Sequence, residues 1–147
     1  MFKHILIPTD GSPVATKAIK AGVALAKEMG ASVTGFYAIE PPPTHMYGEG
    51  YLAQRDLVEE LERRAREVAQ ASVDEVSAAA KSAGVRCDTT IGKSVTPYKG
   101  IIAAAEDNKC DAVFMASNGH KGLTGLLLGS VTQKVLTHSK IPVLVFR

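Results

Sequence analysis

Hydrophobic positions along the chain alternate between two rhythms. Ile5-Leu6-Ile7 is a continuous apolar run closed by Pro8, as expected of a strand buried on both faces. From Ala15 the spacing changes. Ala15, Ala18, Ile19, Gly22, Val23 and Ala26 recur at the period of one helix face. Ser12 stands at the N-cap of that helix, Pro13 takes its first position, where a missing N–H costs nothing, and Gly30 ends it. A second strand is expected over about Ser32 to Ile39. Glu40 is then followed by Pro41-Pro42-Pro43, which excludes a helix and stiffens the exit from the strand.

The next apolar positions, Leu57, Leu61, Ala65, Val68, Val76 and Ala80, predict a long helix with these residues facing the core and Gly84 as its stop. Between them Glu59, Glu60, Glu62, Arg63, Arg64, Arg66 and Glu67 form a charge cluster, read as a solvated face with helical ion pairs. Val85 to Ile91 predicts a third strand and Gly92-Lys93-Ser94 a turn. Pro97 opens a third helix through Ile101, Ile102 and Ala105. Ala112-Val113-Phe114-Met115 is a second fully apolar strand. Gly119 to Gly129 reads as a loop, Ser130 to His138 as a fourth helix and Pro142 to Phe146 as a final strand. Strand and helix alternate throughout. The expected fold class is therefore α/β: a single domain, residues 1–147, with a doubly wound parallel five-stranded sheet and four helices.

Composition adds mainly exclusions. A chain of 147 residues buries roughly two-thirds of its unfolded surface, enough for one core. A net charge of +2 and an aromatic content of 5% argue against nucleic acid or an anionic membrane as partner. No apolar run approaches the ~20 residues of a membrane helix. Met1-Phe2-Lys3-His4 enters a strand without the features of a signal peptide, so the cytoplasm is the expected compartment. Cys87 and Cys110 lack partners at ligand spacing, as do His4, His45, His120 and His138, so no metal site is expected. Both cysteines are read as small hydrophobes in or near buried strands.

In parallel sheets ligands sit beyond the carboxyl ends of strands, where the strand order reverses. The most informative such segment runs from Met115-Ala116-Ser117-Asn118-Gly119 to Gly129-Ser130-Val131-Thr132. Its glycines would let backbone approach a pyrophosphate, and a helix starting at Ser130 would present free N–H groups to an anion. Ser130 and Thr132 add hydroxyls. On residue chemistry alone, a phosphate cradle and a set of turns capped by Ser130 remain equally open. Gly92-Lys93-Ser94 resembles the end of a P-loop, but the earlier glycine that motif requires would fall at Cys87.

The run resembles the universal stress protein family, whose ATP-binding members carry Gly-x-x-Gly, nine residues, then Gly-Ser or Gly-Thr. Here Gly119 is followed by nine residues and then Gly129-Ser130. The opening Ile5-Leu6-Ile7-Pro8-Thr9-Asp10-Gly11-Ser12 matches as well. So does the close, Val131-Thr132-Gln133-Lys134-Val135-Leu136 and Ile141-Pro142-Val143-Leu144-Val145. One position departs: the first glycine of the pattern falls on Ala116, which implies a narrower site. The resemblance implies a Rossmann-type, adenine nucleotide alpha-hydrolase-like fold binding ATP, ADP or AMP, with Mg2+ as companion ion. It implies Asp10 at the ribose hydroxyls, Pro8 and Thr9 on the adenine side, and Ala38 and Met115 flanking base or ribose. Gly119, Gly129, Ser130, Val131 and Thr132 would hold the phosphates; Lys121 is open to two readings, neutralising phosphate charge or standing in solvent. It also implies a homodimer through the C-terminal strand, residues 142–146.

Beside the loop the sequence places no base, nucleophile or carboxylate pair. The expectation is a regulatory nucleotide binder rather than an enzyme, with at most the slow ATP hydrolysis or autophosphorylation that the resemblance implies for some family members. A phospho-accepting response regulator would need an acidic cluster at the first strand and an aspartate ending the third. A dinucleotide-dependent dehydrogenase would need its glycine fingerprint after the first strand, which Asp10-Gly11-Ser12-Pro13 does not supply. The alternative kept open by Ala116 is a nucleotide-free scaffold of the same fold.

Overall fold

A computed structural model of the chain describes residues 1–42, 50–119 and 127–147, without the side chains of 51–53. The elements run β1 (His4–Pro8), α1 (Pro13–Met29), β2 (Ser32–Ile39), α2 (Tyr51–Ala83), β3 (Cys87–Lys93), α3 (Pro97–Asp107), β4 (Ala112–Ala116), α4 (Ser130–His138) and β5 (Val143–Phe146). All pairings are parallel and the strand order is β3-β2-β1-β4-β5. The expected α/β sheet with four helices is thus the observed one. The order reverses between β1 and β4, as in dinucleotide-binding sheets, and differs from the response-regulator arrangement.

Alternation along the strands divides the core into two layers. Ile5, Ile7, Val33, Ala112 and Phe114 face α1 and α2, packing on Ile19, Val23, Val76 and Ala80. Leu6, Phe36, Val113 and Met115 face the other side, against Ile101, Ala104, Ala105 and Val135 of α3 and α4. α1 starts and stops where the sequence indicated: the Ser12 hydroxyl accepts from the Ala15 N–H, and Gly30 closes the helix in the left-handed conformation.

The buried face of α2 agrees with the expectation at Val76 and Ala80 and departs from it nearer the amino end. Val58, Ala69, Val73, Val76 and Ala80 are buried, whereas Leu57, Leu61 and Val68 are 55%, 40% and 51% exposed. Toward its carboxyl end the helix approaches the sheet closely. A β-carbon on Gly35 of β2 would stand 2.9 Å from Cβ of Val76, so Val76 occupies the space of the missing side chain. The buried residues of α2 are accordingly small or β-branched there: Ala69, Val73, Val76 and Ala80. The charge cluster is, as read, a solvated face: Arg55 pairs with Glu59, Arg63 with Glu60 and Glu67, and Arg64 with Glu60. Arg63 and Arg64 hold the Glu60 carboxyl down at about 2.

A second correction concerns Gly92 and Lys93. They end β3 rather than forming a turn, pairing in register with Ala38 and Ile39. Cys110 is buried near the amino end of β4, and burial pushes its thiol up to about 11. Cys87 is only half-buried, at the start of β3. His45, Met46, His120 and Lys121 lie outside the described residues. Among the described residues no helix is long and apolar enough to cross a membrane.

Candidate functional site

The chain leaves β1 through a set of turns that fix Asp10. The Thr9 N–H continues the sheet by donating to the Phe36 carbonyl at 2.9 Å. The Gly11 N–H then donates to Thr9 Oγ1 at 3.1 Å, and the Ser12 N–H to Asp10 Oδ1 at 2.9 Å. Oδ1 is thereby held as an Asx turn, and Oδ2 points across to Gly119, where a β-carbon would collide with it. Asp10 thus holds the turn through one carboxylate oxygen while the other faces a different way.

The end of β4 is tied to the start of α4. The Ser117 N–H donates to the Phe146 carbonyl at 2.8 Å, and the Gly129 N–H to the Ser117 carbonyl at 2.7 Å. The Thr132 hydroxyl donates to the Ala116 carbonyl at 3.0 Å and is buried. Its hydroxyl is thus committed to the scaffold, and only its backbone N–H remains for a ligand. A β-carbon on Gly129 would lie 3.1 Å from Asn118 Cα and 3.3 Å from the Ser117 carbonyl oxygen. Gly129 therefore allows two strands of backbone to close on each other. α4 has Gly129 at its N-cap, which has no side chain to cap the N–H groups of the first turn.

Between these segments lies a cavity of about 610 Å³, at the carboxyl ends of β1, β2 and β4. That volume is within the usual range for small-molecule sites. Pro8, Thr9, Asp10, Ala38, Met115, Ala116, Gly119, Gly129, Ser130, Val131 and Thr132 all line it. Gly92, Lys93 and Ser94 do not, so the resemblance to a P-loop ending has no counterpart at the cavity.

The wall also contains Glu40 and Asn118, which lie at strand ends the sequence pointed to, and Tyr37, Tyr98 and Lys134, to which sequence reasoning gave no role. Tyr98 follows the helix-opening Pro97, and Lys134 stands in the matched run Val131 to Leu136, one turn after Ser130. Burial, then the neighbouring carboxylates of Asp10 and Glu40, push the Tyr37 phenol above its ordinary value. The β2 end of the cavity is therefore acidic. Opposite it, Lys134 Nζ sits 5.7 Å from the centroid of the Tyr98 ring, which stacks on His138 at 5.2 Å. Among the described residues no three His, Cys, Asp or Glu side chains gather as a metal site would require.

The family model for the universal stress protein family matches residues 1–147. Universal stress protein MJ0531 of Methanocaldococcus jannaschii is 34% identical over the whole of this chain and 83% of its own length. The solved structure of MJ0577, from the same organism, superposes with a TM-score of 0.79 at 28% identity, covering 99% of this chain and 95% of that one. A universal stress protein crystallised in complex with cAMP has the same fold, with a TM-score of 0.72 at 21% identity, covering 99% and 97% of the two chains. With its sheet order, its paired motifs and its full-length family match, the chain belongs to the universal stress protein family.

Proposed function

We propose that this protein is a regulatory module that binds an adenine nucleotide, ATP or its products ADP and AMP, in the cavity at the β1/β4 crossing point. The observation that carries the reading is the convergence of both halves of the sequence pattern on one cavity of sufficient size. Asp10 Oδ2 accepts from the ribose hydroxyls, while Pro8, Thr9, Ala38 and Met115 surround the base and sugar. The N–H groups of Ser130, Val131 and Thr132, with Gly119 and Gly129 beside them, receive the phosphates at the start of α4. A Mg2+ ion would ride on phosphate oxygens and water, in keeping with its preference for few protein ligands. That a protein of the same fold was crystallised with cAMP supports an adenine ligand for this fold.

The regulatory reading places the nucleotide as a signal rather than a substrate, with slow hydrolysis or autophosphorylation as side reactions, in the cytoplasm. β5 is an edge strand whose residues are all half-exposed, which supports a homodimer formed by pairing of two β5 strands. The direct test is mass spectrometry of nucleotide released from purified protein, followed by calorimetry of the stripped protein with ATP. Saturable binding is the expected result. No released nucleotide and no binding heat would leave the nucleotide-free scaffold as the reading.

A further inference from the structure

We propose that Lys134 makes this site discriminate by phosphate charge, its ammonium group recognising the phosphoryl oxygens of the bound ligand. The inference rests on the reading of the cavity as an adenine-nucleotide site and names the residue that selects among such ligands. Asp10 and Glu40 make part of the cavity wall negative, so a polyphosphate entering it needs a compensating cation. Among the described lining residues, Lys134 is the one cation.

Its charge is available. Arg55, Arg63 and Arg64 on α2 are all engaged with carboxylates, whereas Lys134 takes part in no salt bridge among the described residues. What holds it is the Tyr98 ring, 5.7 Å below its nitrogen, a contact that restrains an ammonium group without neutralising it. Tyr98 is in turn fixed by its stack on His138. Lys134 is also four residues after Ser130, on the same face of α4 as the residue that opens the helix. Ser130 at the helix terminus and Lys134 thus both border the cavity from one element. Backbone N–H groups serve any phosphate, whereas a cation rewards each added negative charge. The consequence is an affinity order of ATP, then ADP, then AMP, then adenosine.

The test is calorimetry of the full chain with ATP, AMP and adenosine, for the unaltered protein and for Lys134→Met and Lys134→Arg. Lys134→Met keeps the apolar stem and removes the charge, and circular dichroism checks that each variant is folded. The expected result is a loss of roughly fivefold in ATP affinity in Lys134→Met, as for an exposed charge pair strengthened by hydrogen bonding to phosphate. Adenosine affinity should stay unchanged, Lys134→Arg should retain ATP, and the difference should shrink as salt is raised. Unaltered ATP affinity in folded Lys134→Met, or an equal loss for ATP and adenosine, would overturn the inference while leaving the nucleotide site in place. So would a loss that appears in Lys121→Gln and not in Lys134→Met. Failure of the unaltered protein to bind any of the three ligands would remove the nucleotide reading itself, and this inference with it.

Discussion

Oδ2 of Asp10 occupies the space in which a β-carbon on Gly119 would stand. The two residues lie at the ends of neighbouring strands β1 and β4, far apart in sequence, and belong to the two halves of the family pattern. Glycine at position 119 therefore has a reason inside the protein, before any phosphate is considered. Gly119→Ala should force the carboxylate or the loop aside and cost about 1–3 kcal/mol, the range for overpacking. Urea denaturation measures this, and repeating it in an Asp10→Ala background should remove most of the cost. An undiminished cost in that background would mean that some other contact excludes the side chain.

Ala116 has two roles that pull in opposite directions. It lines the cavity, and it packs against the sheet layer shared with Phe146, its register partner on β5. Ala116→Gly should tighten nucleotide binding by up to ~1 kcal/mol through relieved crowding, while lowering stability by about 0.5–1 kcal/mol through backbone entropy. Calorimetry and thermal melting read the two effects separately. Weaker binding in the glycine variant would show that the methyl contributes contact rather than crowding.

Alkaline stability follows from Cys110. The folded protein holds its proton up to about 11, against an ordinary value of 9.0, because burial disfavours the thiolate. A group raised in this way contributes its stability in full below pH 9, and that contribution is lost as the pH rises through 11. Unfolding free energies measured across that window should fall, and should fall less in Cys110→Ala. Modification of Cys110 by a thiol reagent at neutral pH should be slow until the protein is denatured.

The proposed dimer depends on β5, which has only β4 beside it in the sheet. Light scattering should give twice the chain mass, since antiparallel pairing about a two-fold axis closes without growing into fibres. Val145→Lys places a charge on that edge and should give folded monomer. A monomeric unaltered protein would refute the dimer, and a dimer that tolerates the lysine would place the interface elsewhere.

Most of the architecture was legible because it is local. Ser12-Pro13 and Gly30 bound α1 by short-range capping, and the apolar runs at Ile5-Leu6-Ile7 and Ala112 to Met115 need only burial on both faces. What failed depends on partners distant in sequence. The inward face of α2 is set by the elements it packs on, so the helical period alone chose Leu57 and Leu61 instead of Val58. Gly92 and Lys93 look like a turn until β2 extends alongside them to Ile39. At the cavity, the residues carried by the family pattern were readable. Tyr37 and Tyr98 were not, and Lys134 stood in the pattern without a role, because only the packing of α3 against α4 and the acidic end of β2 gives them a place.

Gly35 and Val76 occupy a single volume shared between two side-chain positions. Neither position can therefore drift alone. Any side chain gained at 35 must be matched by one lost at 76, or the helix must lift from the sheet. Related sequences should show this as a reciprocal pattern: glycine at 35 where 76 is β-branched, and a larger residue at 35 only where 76 has shrunk to alanine or glycine. Chains that break the reciprocity should carry a displaced second helix, and so a differently shaped approach to the cavity that α2 borders through Ala65.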